Sequence, residues 1–341
     1  VRVLVLGGTR FIGAAAVRRL HELGNEVAVF HRGKTQGSLP DGVVEIHGDR
    51  DRLAEHRSAF QEFHPEVVLH NIVINERHAV EAMETFRGLA RRLVLVSSCD
   101  VFRAYGRITG IEPGPPDPIP LTEDSPLRET RYPYRSQAND PGHLLYDYDK
   151  IPAEEAALGD PDLPGTVLRL PMVIGPGDYQ HRLFGLLKPM TDRRPAIVLP
   201  EDYAAWKSTY GYVDNVAEAI ARACTDERAA GQVYVVGDWP LSILEQAEEI
   251  RRLLGWPGEL VLRPRETLPE ALVEKMDTTQ HLVCSCRKIQ DELGYRERIG
   301  LKDAIRRTVE WERAHPPDPI PPGTLKYRDE DEVLAAIARG E

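Results

Sequence analysis

With four cysteines in 341 residues the chain has too few for a disulfide scaffold, so a hydrophobic core must hold it together. The thiols are read as reduced and the setting as cytosolic. Cys284 and Cys286 stand two apart with no second ligand pair nearby, so no metal is expected. No apolar run approaches the roughly 20 residues that a membrane helix needs, and no signal-peptide pattern is read. No membrane association is expected, and the absence of a leading Met is read as a trimmed start. Basic residues are outnumbered 43 to 54, a net charge of −11, which repels phosphate backbones and makes nucleic acid an unfavoured partner. A chain of this length suits one large domain or two interlocked ones.

What is present begins at once. Residues 1–13 read VRVLVLGGTRFIG, a short apolar run ending in glycines. Ile12, Ala16, Leu20 and Leu23 then fall on one helical face. The pattern is strand, tight turn, helix. At such a turn the backbone N–H groups of the helix start face outward and can hold a pyrophosphate. Gly7 permits the turn, Gly13 lets the helix lie close on the strand, and the backbone over Gly8, Thr9, Arg10, Phe11, Ile12 and Gly13 is the expected cradle.

Strand-like and helix-like segments alternate over the first half. After β-like residues 1–6, further strands are predicted at Glu26–His31, Val43–His47, Val67–His70, Leu93–Ser97 and Thr166–Leu170. Apolar strands separated by amphipathic helices imply βαβ units and a parallel sheet covered on both faces. Right-handed crossovers make this a doubly wound α/β fold. Residues 110–126 are rich in Pro and Gly and are read as loop. Residues 128–143 look like an inserted loop or lid, and 178–210 are read as irregular. A helix is expected at Asn215–Ala223, a strand at Gln232–Val236, helices at Ile243–Leu254 and Leu301–Glu312, and a short amphipathic piece at Asp329–Ala338.

Tyr146 and Lys150 stand four apart in YDYDK, which on a helix puts both side chains on one face. A lysine ammonium beside a phenol favours the phenolate and yields a usable acid or base. Ser98 ends the fifth strand, at the carboxyl edge where ligands of open α/β sheets bind. Pro152 conflicts with this helix. Either the helix kinks there, or a new helix begins near Pro152, in which case Tyr146 and Lys150 need not share a face.

These motifs, in this order, resemble the extended short-chain dehydrogenase/reductase family, the NAD(P)-dependent sugar-nucleotide epimerases and dehydratases, over residues 1–315. GGTRFIG stands for the cofactor turn, with Arg10 in place of the middle glycine, as in an atypical branch that includes chloroplast RNA-binding relatives. HGDRD at 47–51 resembles the adenine-contacting turn and implicates Asp49 and Arg50. SSCDVF places Ser98 at the catalytic position and Asp100 where dehydratases carry an acid for the sugar. VLRLPMVIGPGD, with Pro171 on the cofactor side, resembles the sixth strand and its turn. The resemblance also implies substrate contacts from His181, Arg182 and Arg263. It implies Ser98, Tyr146 and Lys150 as catalytic groups.

The second strand ends in His31-Arg32, where NAD-selective members carry an acid for the ribose 2′-OH. An arginine there suits a 2′-phosphate, so NADP is weakly favoured over NAD, with Arg10 and Lys34 as further cations. The expected fold is a Rossmann-type doubly wound parallel sheet with a smaller C-terminal α/β substrate domain. The first domain covers 1–175, with 210–240 returning to it. The second covers 176–209 and 241–315, and 316–341 is a tail. The expected activity is that of an epimerase/dehydratase-like oxidoreductase, hydride transfer on a sugar nucleotide or a related carbinol or carbonyl substrate. Alternatives are an NADPH-dependent carbonyl reductase, or a non-catalytic NADP- or RNA-binding relative. A homodimer is expected, with Ala79, Ala82, Met83 and Phe86 either supplying one side of it or packing on the protein's own sheet.

Overall fold

The computed structural model describes residues 1–340 apart from Thr35, Gln36 and Ser38. Its first half runs β1 (Arg2–Leu6), α1 (Phe11–Glu22), β2 (Glu26–His31), β3 (Val44–His47), α2 (Arg57–Phe63), β4 (Val67–His70), α3 (Glu76–Phe86), β5 (Arg92–Ser98), α4 (Arg103–Ile108), α5 (Lys150–Leu158) and β6 (Gly165–Leu170). The second half runs β7 (Met172–Ile174), α6 (Phe184–Thr191), β8 (Ala196–Pro200), α7 (Glu201–Ala205), β9 (Lys207–Tyr212), α8 (Val213–Thr225), β10 (Val233–Val235), β11 (Trp239–Ser242), α9 (Ile243–Leu254), β12 (Glu259–Arg263), α10 (Arg287–Leu293), α11 (Leu301–Ala314) and α12 (Tyr327–Ala338).

Seven strands form one parallel sheet in the order β10-β6-β5-β4-β1-β2-β3. The strands are apolar at nearly every position because both faces are covered. Val3, Val5, Val27, Val29, Val67, Leu69 and Val94 point into the core beneath α1 and α8. Their neighbours Leu4, Leu6, Ala28, Phe30, Val68, Leu93 and Leu95 point into the opposite core with α3 and α5. The chain moves outward from β1 to β3, then returns to the other side of β1 as β4. That reversal opens a crevice at the carboxyl ends of β1 and β4, the usual ligand position in such sheets.

Ala79, Ala82, Met83 and Phe86 on α3 are all buried in this second core. Of the two placements open to them, packing on the protein's own sheet is the one found, so these four side chains supply no dimer face. Each large one contributes about 1.5–3 kcal/mol by leaving water.

The region 178–210, expected to be irregular, contains α6, β8 and α7. Pro189 inside α6 breaks the periodicity that would have revealed the helix in the sequence. β8 pairs in parallel with β12, and β9 forms a small sheet with β7 and β11. Together with α6, α9 and α11 these strands enclose a further core containing Leu187, Ile197, Trp206, Ile250 and Trp256. The C-terminal α12 docks on this part: Glu330 accepts a hydrogen bond from Val198 N (3.2 Å), and Arg194 pairs with Asp331. Among the described residues no helix is long and apolar enough to cross a membrane.

Candidate active site

A cleft of about 510 Å³ lies across the carboxyl ends of β1, β2, β4, β5 and β6. Its floor is the turn between β1 and α1. Gly7 has φ +87°, a region costly for side chains, and an added Cβ would lie 2.3 Å from Ile72 Cγ2. At Gly13 a Cβ would lie 2.1 Å from the Gly7 carbonyl oxygen, so only glycine lets α1 approach β1 this closely. Asn71, at the end of β4, donates from Nδ2 to that same oxygen (3.0 Å) and ties the turn to the opposite wall. Arg10 occupies the N-cap in extended conformation (φ −136°), so the missing middle glycine costs nothing in backbone strain. Its side chain makes no cap bond. Among the described residues no group accepts from the first-turn amides of α1, which points them toward an anion.

Gly7, Thr9, Arg10, Phe11, Ile12, His31, Arg32, Lys34, Arg50 and Pro171 all line the cleft. Gly8 does not; its role is packing, since a Cβ there would press on Val17 and Val29 at 2.7 and 2.8 Å. Asp49 also lies outside the lining. It is spent on capping the 3-10 turn that follows, accepting from Asp51 N (3.2 Å). Arg50 donates to the Ile72 carbonyl (2.8 Å). A glycine turn, an open helix start and a cationic far end fit a dinucleotide, which when bound supplies the hydride acceptor or donor.

At the other end of the cleft, α5 begins at Lys150, with Asp149 as its N-cap accepting from Ile151 N (3.1 Å). Pro152 therefore sits in the first turn, where its missing N–H is not needed. The expectation of a shared helical face for Tyr146 and Lys150 is corrected accordingly: Tyr146 precedes the helix. Its ring lies under the Arg135 guanidinium (4.6 Å), its carbonyl accepts from Arg135 Nε (2.9 Å), and it does not line the cleft.

Tyr148 does line the cleft, with Ser97, Ser98 and Lys150. The Tyr148 hydroxyl donates to Asp100 Oδ2 (2.9 Å). Ser98 Oγ in turn accepts from Asp100 N (3.2 Å). Lys150 Nζ lies 5.6 Å from the Tyr148 ring centre and donates to the carbonyls of Val73 and Val96. Burial lowers the Lys150 pKa to about 8, against the opposing pull of Asp100 and Glu154. Burial, reinforced by the Asp100 carboxylate, pushes the Tyr148 phenol well above its ordinary range. Tyr148 is thus held as a neutral phenol. The sequence signal for it was Asp149, a strong N-cap residue that fixes the helix start after both tyrosines.

Asp100 is buried and accepts from Tyr134 (3.0 Å) as well as Tyr148. Its Oδ1 has no hydrogen-bond partner among the described residues. Segment 128–132 is locked onto the start of α5: Tyr132 N donates to Asp149 Oδ2 (2.9 Å), and the buried Arg128 pairs with Asp149 (3.3 Å) and donates to the Asp100 carbonyl (2.5 Å). The region read as a lid is therefore anchored at its first residues.

The three further substrate candidates separate. Arg182 lines the cleft, held by Asp178 (2.6 Å) and the Val173 carbonyl (3.0 Å). It also lines a second cavity of about 310 Å³ with Tyr203, Trp206, Tyr210 and Met276. His181 is turned away, bonded to Glu312 (2.8 Å) and stacked on Trp311. Arg263 lies on β12 and lines neither space. The family-like turn at 175–178 did not reveal that only one of its two following basic residues faces inward.

Residues 3–237 match the family model described as NAD dependent epimerase/dehydratase family. The chain is 27% identical to a UDP-glucose 4-epimerase of Streptomyces lividans, over 92% of this chain and 97% of that one. It is 28% identical to a 2′-dehydrokanamycin reductase of Streptomyces kanamyceticus, over 80% and 72%. Among solved structures it resembles a UDP-glucose 4-epimerase from Thermotoga maritima, solved with UDP-glucose, at TM-score 0.67 and 19% identity, covering 92% of this chain and 99% of that one. It also resembles the Thermus thermophilus UDP-glucose 4-epimerase complex with NAD, at TM-score 0.65 and 23% identity, covering 92% and 100%. The glycine turn against β4, the crevice at the sheet reversal and the match over most of the length agree: the chain belongs to the NAD dependent epimerase/dehydratase family and is an NAD(P)-dependent enzyme of the short-chain dehydrogenase/reductase type.

Proposed function

We propose that the protein catalyses NAD(P)-dependent hydride transfer at a carbinol or carbonyl carbon of a nucleotide sugar or a related polar substrate. The observation that carries this reading is the convergence of Ser98, Tyr148 and Lys150 at one end of a cleft whose other end is the glycine turn. The turn backbone over Thr9 to Ile12 binds the pyrophosphate, Arg50 lies on the adenine side, and Arg32 faces the ribose. Tyr148 exchanges the proton with the reacting oxygen, Ser98 orients that oxygen and Lys150 holds positive charge beside it. Arg182 meets the substrate where the cleft adjoins the second cavity.

A carbonyl reductase is the second reading. It is favoured by the raised Tyr148 pKa, since a neutral phenol is ready to protonate an oxyanion formed by hydride addition. The reductase among the relatives supports the same direction. The test is to incubate the protein with UDP-glucose and oxidised cofactor, or with a panel of ketones and reduced cofactor, and follow nicotinamide absorbance and product by chromatography. Epimerised sugar nucleotide without net cofactor change supports the first reading, and stoichiometric cofactor oxidation the second. No turnover in either arm, with cofactor still bound, favours the non-catalytic alternative.

A further inference from the structure

We propose that His31, Glu45 and His47 form a binding site for a first-row divalent transition metal ion at the outer edge of the main sheet. His31 stands on β2 and the other two on β3, and strand register brings them together. β2 and β3 run parallel, with His31 directly paired to His47 and Val29 to Glu45. Glu45 and His47 are two apart on one strand and so project on the same face. The backbone ladder holds all three Cα positions, and only side-chain torsions need to adjust.

The distances suit one ion. His31 Nε2 lies 2.9 Å and His47 Nε2 3.6 Å from Glu45 Oε2, and the ligand atoms of all three lie within 4.8 Å of one another. A tetrahedral ion with bonds of about 2.0–2.2 Å holds its ligand atoms about 3.3–3.6 Å apart. Two imidazoles and a carboxylate form a donor set suited to Zn²⁺ and its neighbours. The side is also open: the Glu45 and His47 side chains are about half exposed or more, leaving a path for the ion and room for water ligands. Among the described residues Glu45 has no ion-pair partner other than the two imidazoles, so no lysine or arginine competes for its carboxylate.

Binding has one local consequence. Gly33 N donates to His31 Nδ1 (3.3 Å), which leaves the imidazole proton on Nε2, facing Glu45. An ion on Nε2 requires that proton to move to Nδ1, which breaks the contact from Gly33. Arg32 and Lys34 flank Gly33 and line the cleft, so the ion acts on the turn at the ribose end and adds positive charge beside it.

The test uses the untagged full chain after treatment with a chelator. Isothermal titration with Zn²⁺ should give one equivalent bound, and Co²⁺ should give the visible absorption of a low-symmetry site. His47→Ala and Glu45→Gln should each weaken Zn²⁺ binding at least about tenfold, since even the loss of an outer-shell partner costs 10–100-fold. His47 does not line the cleft, and circular dichroism of both variants should match the parent. The proposal is overturned if large excesses of Zn²⁺ and Co²⁺ give neither heat nor absorption. It is equally overturned if binding persists unchanged in the Glu45→Gln/His47→Ala double variant.

Discussion

Tyr148 donates its phenolic hydrogen bond to Asp100 across 2.9 Å, while Tyr146, two residues earlier, has its ring under Arg135 and outside the cleft. The two tyrosines of YDYDK therefore separate into one that can reach a substrate and one that cannot.

Tyr148→Phe should lower the rate of hydride transfer by about 10²–10⁴, the usual range for loss of a general acid or base. Tyr146→Phe should change it little. Pre-steady-state cofactor absorbance with any active substrate compares them, and a larger loss in the Tyr146 variant would reverse the assignment.

Gly7→Val should abolish dinucleotide binding. The φ of +87° and the 2.3 Å approach to Ile72 force the turn to move, at an expected cost of about 1–3 kcal/mol in stability as well. Fluorescence titration with cofactor, on protein shown to be folded by circular dichroism, measures the effect; unchanged affinity would refute the cradle.

Arg32 lines the cleft where the second strand ends without a carboxylate. One charge-assisted hydrogen bond to a 2′-phosphate is worth roughly 1.5–3 kcal/mol, so the parent should prefer NADP by about tenfold or more. Arg32→Ala should lose NADP affinity selectively. Equal affinities in the parent, or equal losses in the variant, would leave no role for Arg32.

His70 is wholly enclosed, and burial lowers its pKa to about 3, with further repulsion from His78 and Lys150. The unfolded chain takes up a proton near the ordinary value of 6.5 while the folded chain does not. Between about pH 6.5 and 3 the unfolded state thus binds more protons, and stability falls as pH falls. The contribution approaches about 1.4 kcal/mol per pH unit for one proton. In His70→Asn the slope of denaturation free energy between pH 6 and 4 should be shallower than in the parent. An identical slope would mean that His70 does not contribute.

Much of this was legible in residues 1–100, because βαβ units express themselves locally. The runs at 2–6, 26–31 and 67–70 needed only apolar residues and flanking turns to be read. The start of α5 was half legible. Pro152 limited where a helix could stand, but motif spacing favoured Tyr146, and only the placement of Asp149 against Arg128 and Tyr132 separates the two tyrosines. The opposite orientations of His181 and Arg182 depend on Glu312 and Asp178, one of them 131 residues away, and no local pattern encodes such a partner. The bond from Asn71 to the Gly7 carbonyl joins residues 64 apart and exists only because β4 returns beside β1.

Arg182 stands in the wall of both the 510 Å³ cleft and the 310 Å³ cavity, tethered to Asp178 and the Val173 carbonyl. A ligand that draws its guanidinium toward one space reshapes the other. Thermodynamic linkage makes that influence mutual: whatever factor occupancy of the cavity imposes on affinity in the cleft, occupancy of the cleft must return to the cavity. Any such coupling would need only the Arg182 side chain to move.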